Sequence, residues 1–289
     1  MDADRIVAGT DGSEWSLRAV EWAAHEAALR HAGLQIVSVA TAAPRMSWQR
    51  PAQGRPDPVS DAIRESCEQA LASAAARAAE VEPGLAVDTA LLPGTPAHAL
   101  CAAAAGAVML VVGSRGAGGF AALVLGSVGR YVATQAQGPV VVAREETMAV
   151  HHEVVVGIRD QDQPAAVGFA FEEAKLRRAR LRAVHAWHWF LPERRTNSGA
   201  FADARDITSE AASGLADLMA SWRLKYPGVE VIEDVVHAHP GRVLAGASAR
   251  GDLVILGRKN AEDLGRPRTG VVTHAVLSHA HGPVAVIPG

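Results

Sequence analysis

Short apolar runs alternate with longer amphipathic segments along the chain, and this pattern predicts strands separated by helices. In the segment at about 13–32, apolar residues recur at helical spacing, namely Trp15, Ala19, Trp22, Ala23 and Ala27. The apolar runs of the first half predict strands at 5–9, 34–39, 81–92, 108–112 and 139–143. The last two are apolar throughout, as expected where helices cover both faces of a parallel sheet.

The same order of elements recurs in the second half, with strands predicted at 153–157, 181–185, 229–236, 253–257 and 283–287. Residues 126–143 resemble residues 270–287, and residues 6–9 resemble residues 154–157. A repeat of this length indicates two copies of one domain, which we place at 1–147 and 148–289. Strands alternating with helices predict an α/β fold in which each domain is a doubly wound, five-stranded parallel sheet of Rossmann-like type.

Composition narrows the class of protein. The chain has 289 residues, of which 49% are hydrophobic and 20% charged, as in soluble globular proteins. Its net charge of -3 gives no general electrostatic attraction to nucleic acid or to an anionic membrane. Two distant cysteines, no signal-peptide pattern and no apolar run near the ~18 residues of a membrane helix lead us to expect a cytoplasmic protein.

A glycine-rich segment carries the candidate chemistry. Gly113, Gly116, Gly126 and Ser127 have the spacing Gly-x2-Gly-x9-Gly-Ser and lie between a predicted strand and a predicted helix. This arrangement brings backbone N–H groups and a helix N-terminus to one point, which favours a phosphate group. The segment is neither a Walker A loop, since no Gly-Lys-Ser/Thr occurs, nor the G-x-G-x-x-G of dinucleotide-binding folds.

Individual roles follow from position in this segment. Gly113 and Gly116 are expected to allow close backbone approach to a ligand and a positive φ. The N–H groups of Gly126, Ser127 and Val128 are expected to meet phosphate oxygens, and the Ser127 hydroxyl to add a hydrogen bond or contact a metal ion. Arg115 is a candidate for charge-assisted contacts, although a solvated surface arginine explains it equally well.

With these motifs the chain resembles the universal stress protein family, in its ATP-binding branch, over nearly its whole length. Members carry the same glycine spacing after the fourth strand and a Gly-x-Asp near the end of the first strand, here Gly9, Thr10 and Asp11. The resemblance implies ATP with Mg²⁺ as the ligand and places Thr10 and Asp11 in its site, with Asp11 at the adenine or ribose. It further implies main-chain contacts from Val39 to the base.

The second copy departs from the motif. Asn260 replaces the second glycine and Val271 replaces the serine, while Glu262 and Asp263 add negative charge and Arg159 takes the position of Asp11. All four changes disfavour a nucleotide. The second copy is therefore expected to bind ATP much more weakly than the first, or not at all.

Other patterns are weaker. The pairs His237/His239 and His279/His281 lack a third ligand at a recognisable spacing, so we interpret them as surface histidines. The basic run 175–182 has no interleaved aromatic residues, so we interpret it as a solvated face and expect no nucleic-acid partner. Trp187 and Trp189 are expected to pack in a core or domain interface, to fill a lost nucleotide pocket, or to bind another ligand.

These observations favour an ATP-binding stress-response or regulatory protein without dedicated catalytic machinery. No residue is recognisable as a general base for phosphoryl transfer, but slow ATP hydrolysis stays open. An ATPase or adenylate-forming enzyme and a nucleotide-independent interaction module are the alternatives. The family resemblance implies a pseudo-two-fold axis through strands 139–143 and 283–287, and a homodimer of the whole chain. A further protein partner is not identified by the sequence.

Overall fold

The computed structural model describes residues 4–41, 58–116, 125–144, 150–159, 163–187, 199–258 and 270–289, without the side chains of 58 and 199–207. The chain divides into two compact units, Met1–Arg144 and Glu145–Gly289. Each unit consists of five strands and four helices within the described residues.

The first unit alternates strictly between strand and helix. Its elements are β1 (Arg5–Gly9), α1 (Glu14–Arg30), β2 (Gly33–Ala40), α2 (Pro58–Val81), β3 (Val87–Pro93), α3 (Pro96–Ala103), β4 (Met109–Gly113), α4 (Ser127–Gln135) and β5 (Val140–Ala143). The strands pair in parallel in the order β3-β2-β1-β4-β5. The direction of winding therefore reverses between β1 and β4, and in such sheets the crevice beyond the carboxyl ends at this reversal is where ligands bind.

The second unit repeats this plan. Its elements are β6 (Glu153–Gly157), α5 (Pro164–Arg177), β7 (Arg180–Trp187), α6 (Gly199–Lys225), β8 (Val231–His237), α7 (Pro240–Ala247), β9 (Leu253–Arg258), α8 (Val271–His279) and β10 (Val284–Pro288). The strands are again parallel, in the order β8-β7-β6-β9-β10. The predicted fold class is confirmed: the chain contains two tandem, doubly wound, five-stranded parallel sheets.

The third strand of each unit begins later than the sequence pattern predicts. Val81, expected to open a strand, is the last residue of α2, and a turn with Gly84 at φ +93° precedes β3. Val229, expected in a strand, is buried in the turn that joins α6 to β8. Val81 is thus the last residue of a helix, whereas Val229 packs in the turn after one, and in both units the strand starts beyond the valine.

A buried ion pair recurs in both units. Glu26 of α1 and Glu173 of α5 have side chains that are 1% and 0% exposed. Each accepts a hydrogen bond from the arginine four residues later, Arg30 and Arg177 respectively. Carboxylates are rarely buried so deeply without a cationic partner, so the arginine one turn later on the same helix compensates each buried charge.

A third buried carboxylate, Glu153 at the start of β6, predicts acid sensitivity in the second unit. Burial acts to raise the pKa of Glu153, but hydrogen bonds from Arg182 and Arg180 outweigh it and hold the pKa below its ordinary value. Nitrogen–oxygen distances in this cluster are 2.6 Å to Arg180 and 2.9 Å to Arg182. The folded state therefore binds this proton less readily than the unfolded state, and the stabilisation is lost as pH falls.

We expect the melting temperature to fall as pH decreases below about 4.3, the ordinary pKa of a glutamate. In Glu153→Gln this part of the pH dependence should be missing. Thermal unfolding followed by circular dichroism between about pH 7 and pH 3 measures both slopes. Equal slopes in the two proteins would contradict a stabilising role for the ionised Glu153.

None of the described helices has the length and hydropathy of a membrane-spanning helix. Within the same residues, no cluster of three or more histidine, cysteine, aspartate or glutamate side chains is arranged to hold a metal ion.

Candidate functional site

The crevice between β1 and β4 brings together segments that are distant in sequence. Asp11 follows β1, Gly116 follows β4, and a Cβ atom built on Gly116 would lie 2.5 Å from Oδ2 of Asp11. The N–H group of Gly126 donates a hydrogen bond to the carbonyl of Ser114 at 2.8 Å, which fixes the start of α4 beside the end of β4. The predicted site residues Thr10, Asp11, Gly113, Arg115, Gly116, Gly126, Ser127 and Val128 therefore lie at one end of one sheet.

The start of α4 exposes backbone N–H groups that have no backbone acceptor among the described residues. Gly126 is the N-cap, with extended φ and ψ of -68° and 159°, and Ser127 is the first helical residue. Helix geometry leaves the N–H groups of the first turn without an intrahelical acceptor. In the described chain, the N–H groups of Ser127, Val128 and Gly129 have no backbone acceptor, whereas that of Gly126 is used by Ser114. The N–H group of Gly126, which is expected to meet a phosphate oxygen, is therefore already hydrogen-bonded within the chain, and the next three N–H groups stay without a backbone acceptor.

Glycine is required in this segment for packing rather than for unusual backbone angles. Gly113, Gly116 and Gly126 all lie outside the left-handed range of φ, so the expected positive φ at Gly113 and Gly116 is wrong. A Cβ on Gly113 would lie 2.6 Å from the carbonyl oxygen of Trp15 in the first turn of α1. Gly113 thus lets α1 approach β4 closely. Gly116 lets the carboxylate of Asp11 lie close to the backbone that follows β4.

Thr10 and Asp11 form a hydrogen-bonded turn that leads into α1. The buried Thr10 hydroxyl is hydrogen-bonded to that of Ser16 at 3.1 Å and accepts from the N–H of Gly12 at 3.2 Å. Oδ1 of Asp11 accepts from the N–H of Ser13 at 3.0 Å and from its hydroxyl at 2.5 Å. Ser13 is the N-cap of α1. One carboxylate oxygen of Asp11 therefore shapes the turn, and the other points toward Gly116.

Arg115 lies against an aromatic ring, which the sequence did not indicate. Its guanidinium carbon is 4.8 Å from the centroid of Trp15, and Arg18 lies 5.6 Å from the same ring. Trp15 was expected to belong to the buried stripe of α1 because of its spacing, but it is only half-buried. Its place in the first turn of α1 turns it toward the crevice, where it holds Arg115 by a cation–π interaction.

Arg144, directly after β5, adds a second guanidinium that sequence reasoning missed. Arg144 is 6% exposed. Burial, and then the charge of Arg115, lowers the pKa of Arg144 to about 10. Arg144 therefore stays protonated at neutral pH and adds a second positive charge beside Arg115. The only signal in the sequence is position: Arg144 directly follows the apolar strand β5, and Arg115 lies two residues after the apolar strand β4.

Val39 presents main-chain groups beyond the end of β1. In a parallel sheet, the N–H and C=O groups of one residue point to the same neighbouring strand, and those of the next residue point to the strand on the other side. The carbonyl of Val37 accepts from Thr10, and the pairing of β2 with β1 ends at Gly9 and Val37. The N–H and C=O groups of Val39 consequently face the same side, past the last residue of β1. The main-chain contact of Val39 with a base stays a prediction, for which these two groups are the donor and the acceptor.

The corresponding edge of the second unit is built differently. Trp187 ends β7 and stacks on His237 at the end of β8, with ring centroids 4.3 Å apart. In the first unit the paired residues at these positions are the smaller Ala40 and Pro93. Trp187 thus lies in a strand rather than after it and stacks at the sheet edge. Trp189, Asn260, Glu262 and Asp263 lie outside the described residues.

Comparison with known proteins agrees with this architecture. Residues 3–144 and 151–288 match the model of the universal stress protein family. A universal stress protein of Mycobacterium tuberculosis H37Rv is 32% identical over 293 residues, which cover 97% of this chain and 96% of the relative. One from Mycolicibacterium smegmatis is 31% identical, covering 98% and 96%.

A solved structure extends the comparison to three dimensions. The crystal structure of a universal stress protein from Archaeoglobus fulgidus superimposes with a TM-score of 0.70 at 18% identity, covering 100% of this chain and 99% of that one. At this identity the match concerns the fold alone. Together with the two family matches and the full-length relatives, it leads to one conclusion: the chain belongs to the universal stress protein family, as a tandem member with two units.

Proposed function

We propose that the first unit binds ATP with Mg²⁺, and that its triphosphate lies at the N-terminus of α4. The observation that carries this proposal is the set of N–H groups of Ser127, Val128 and Gly129, which have no backbone acceptor among the described residues. A helix N-terminus favours anions through these groups and through its dipole. The positive charges of Arg115 and Arg144 at the same edge favour the same ligand.

The ribose and adenine of the ligand are proposed to lie at the carboxyl ends of β1 and β2. Asp11 offers a carboxylate oxygen to a ribose hydroxyl or to the exocyclic amine of adenine. Val39 offers one donor and one acceptor from its main chain, which a base edge can match. Since Mg²⁺ takes oxygen ligands and usually keeps several waters, the Ser127 hydroxyl and the phosphates are a suitable donor set.

The second unit is proposed to bind ATP far more weakly. Val271 begins α8 where Ser127 begins α4, so the N–H group is retained but the hydroxyl is lost. Arg159 replaces Asp11, and the stacked pair of Trp187 and His237 narrows the edge where a base would lie. A single nucleotide per chain is the expected stoichiometry.

The biological role that we propose is stress response or regulation through a bound nucleotide, without dedicated catalysis. An ATPase on the same fold is distinguished by turnover well above about one per minute that is abolished in Asp11→Ala. The homodimer and the cytoplasmic location expected from the sequence belong to this proposal and stay predictions.

Replacing Ser127 with proline tests the site with little change in fold. Proline is favoured at the first helical position, and Gly126 already has the extended backbone that a following proline requires. The variant removes one N–H group and one hydroxyl that are proposed to contact phosphate. We expect ATP affinity to fall about 10- to 100-fold in calorimetric titration with Mg²⁺, the range for losing a hydrogen bond to a charged group.

Two further variants separate the contributions. Ser127→Ala keeps the N–H group and should lose affinity by a smaller factor than proline does. Val271→Pro makes the same change at the matched position of α8, where the backbone of Gly270 is also extended, and should leave ATP binding unchanged. Equal loss in Ser127→Pro and Val271→Pro, or two nucleotides per chain, would overturn the placement in the first unit.

A further inference from the structure

The second unit has a groove at the end of its sheet opposite to the Trp187–His237 edge. Its volume is about 520 Å³, within the range of small-molecule sites. The groove lies between the last turn of α5, the start of β7 and the turn that joins α6 to β8. Its charged lining residues are Lys175, Arg178, Arg180, Lys225 and Glu230. Four cations therefore surround the groove together with a single carboxylate.

Most of these cations are not neutralised. In the part of the chain that the structure describes, ion pairs to Lys175, Arg178 and Lys225 are absent. Arg180 does pair with Glu153 at 2.6 Å, but Glu153 also binds Arg182. All four basic side chains are exposed. The groove thus has an excess of positive charge although the whole chain has a net charge of -3.

Capping of helices does not account for this excess. Lys175 and Lys225 lie in the last turns of α5 and α6, where cations suit the helix dipole. At the positions that match these four cations, the first unit has the uncharged or weakly basic residues Ala28, His31, Gly33 and Val81. The arginine in the last turn of α1, Arg30, is paired with the buried Glu26. The fold therefore forms these turns without a cluster of cations, and the cluster is particular to the second unit.

The base of the groove is rigid and aromatic. Tyr226 is 9% exposed and stacks on Phe171 with ring centroids 5.3 Å apart, while Trp222 stacks on Phe171 at 5.8 Å. The Nζ atom of Lys225 lies 5.3 Å from the ring centroids of both Trp222 and Tyr226. Packing around Trp222 is close, because a Cβ on Gly168 would lie 2.9 Å from its ring. A ligand that moves Lys225 would therefore change the fluorescence of Trp222.

We propose that this groove binds a small anion with two or more phosphate groups, at a site separate from the nucleotide site of the first unit. Lysine and arginine are the side chains that recognise phosphate, and arginine adds two parallel hydrogen bonds. The groove volume of about 520 Å³ is large enough for a small metabolite. A single strand of nucleic acid would require exposed aromatic rings for its bases, and Tyr226 is buried.

The test is titration of the full-length chain with sodium tripolyphosphate, without Mg²⁺, followed by calorimetry and tryptophan fluorescence. The background is Ser127→Pro, which weakens the contribution of the helix start in the first unit equally in every variant compared. We expect binding in the micromolar range at about 50 mM salt, weakening as salt rises. In Arg178→Gln/Lys225→Gln, affinity should fall at least about tenfold and the fluorescence change should be lost.

A matched control keeps the total charge equal. Arg64→Gln/Arg250→Gln removes two exposed arginines away from the groove and should bind tripolyphosphate as the background does. Equal weakening in the two double variants would overturn the site in favour of general charge attraction. Absence of binding at about 1 mM, or tighter binding of citrate or of a short DNA strand than of tripolyphosphate, would overturn the ligand assignment. None of these outcomes depends on whether the first unit binds ATP.

Discussion

Replacing Arg177 with methionine is expected to lower the free energy of unfolding by about 3–5 kcal/mol. Its partner Glu173 has a side chain that is 0% exposed. Without the guanidinium, the carboxylate stays buried and loses its hydrogen bond from Arg177. Urea unfolding followed by circular dichroism measures the loss.

Two other variants show whether burial is the cause. Arg64→Met breaks an exposed pair with Asp61 whose side chains are 61% and 53% exposed, and it should cost less than about 0.5 kcal/mol. The double variant Glu173→Leu/Arg177→Met removes both charges and should recover most of the lost stability. If Arg177→Met and Arg64→Met cost the same, the buried pair has no special importance.

A methyl group at position 113 is expected to destabilise the first unit by about 3 kcal/mol. In Gly113→Ala, the new Cβ would lie 2.6 Å from the carbonyl oxygen and 2.8 Å from the carbonyl carbon of Trp15. These are backbone atoms of the first turn of α1, so relief requires a shift of the helix rather than rotation of a side chain. Asp11 is hydrogen-bonded to Ser13, the N-cap of α1, so a shift of α1 should also displace Asp11 and weaken ATP binding.

Glycines elsewhere in the same chain serve as controls for this variant. In Gly33→Ala the nearest atom to the new Cβ is 4.0 Å away, so stability should stay within about 0.5 kcal/mol of the wild type. In Gly257→Ala, at the equivalent position of the second unit, the new Cβ would lie 3.1 Å from the side-chain amide of Gln163 and 3.4 Å from Cβ of Ala166. These are side-chain atoms, so the loss should be intermediate. A Gly113→Ala protein as stable as Gly33→Ala would mean that α1 moves away from β4 at little cost.

The sequence predicted the fold well because its buried strands are also its most apolar segments. Runs such as 108–112 and 139–143 fall within one residue of β4 and β5. Errors arose before β3 and β8, where Val81 ends a helix and Val229 packs in a turn although each lies in an apolar run. Apolar periodicity does not contain the information about which of two neighbouring elements takes such a residue.

The candidate site was predictable in its location but not in its contacts. Motif spacing identified the ends of β1 and β4 and the start of α4, because glycines and an N-cap position are visible in sequence. It did not show that the N–H group of Gly126 is used by Ser114, or that Gly113 accommodates Trp15. These facts depend on how closely a helix approaches a strand, which is a property of tertiary packing.

The offset between β1 and β2 bears on how this site can change during evolution. Val39 faces the crevice through its main chain, so any residue that keeps β2 extended preserves the donor and acceptor that we propose for the base. Divergence at position 39 would therefore say little about whether a relative has kept its ligand. In a relative whose β1 strand continued for two more residues, β1 would pair with the residue at position 39. That end of the site would then be closed, even with every motif residue intact.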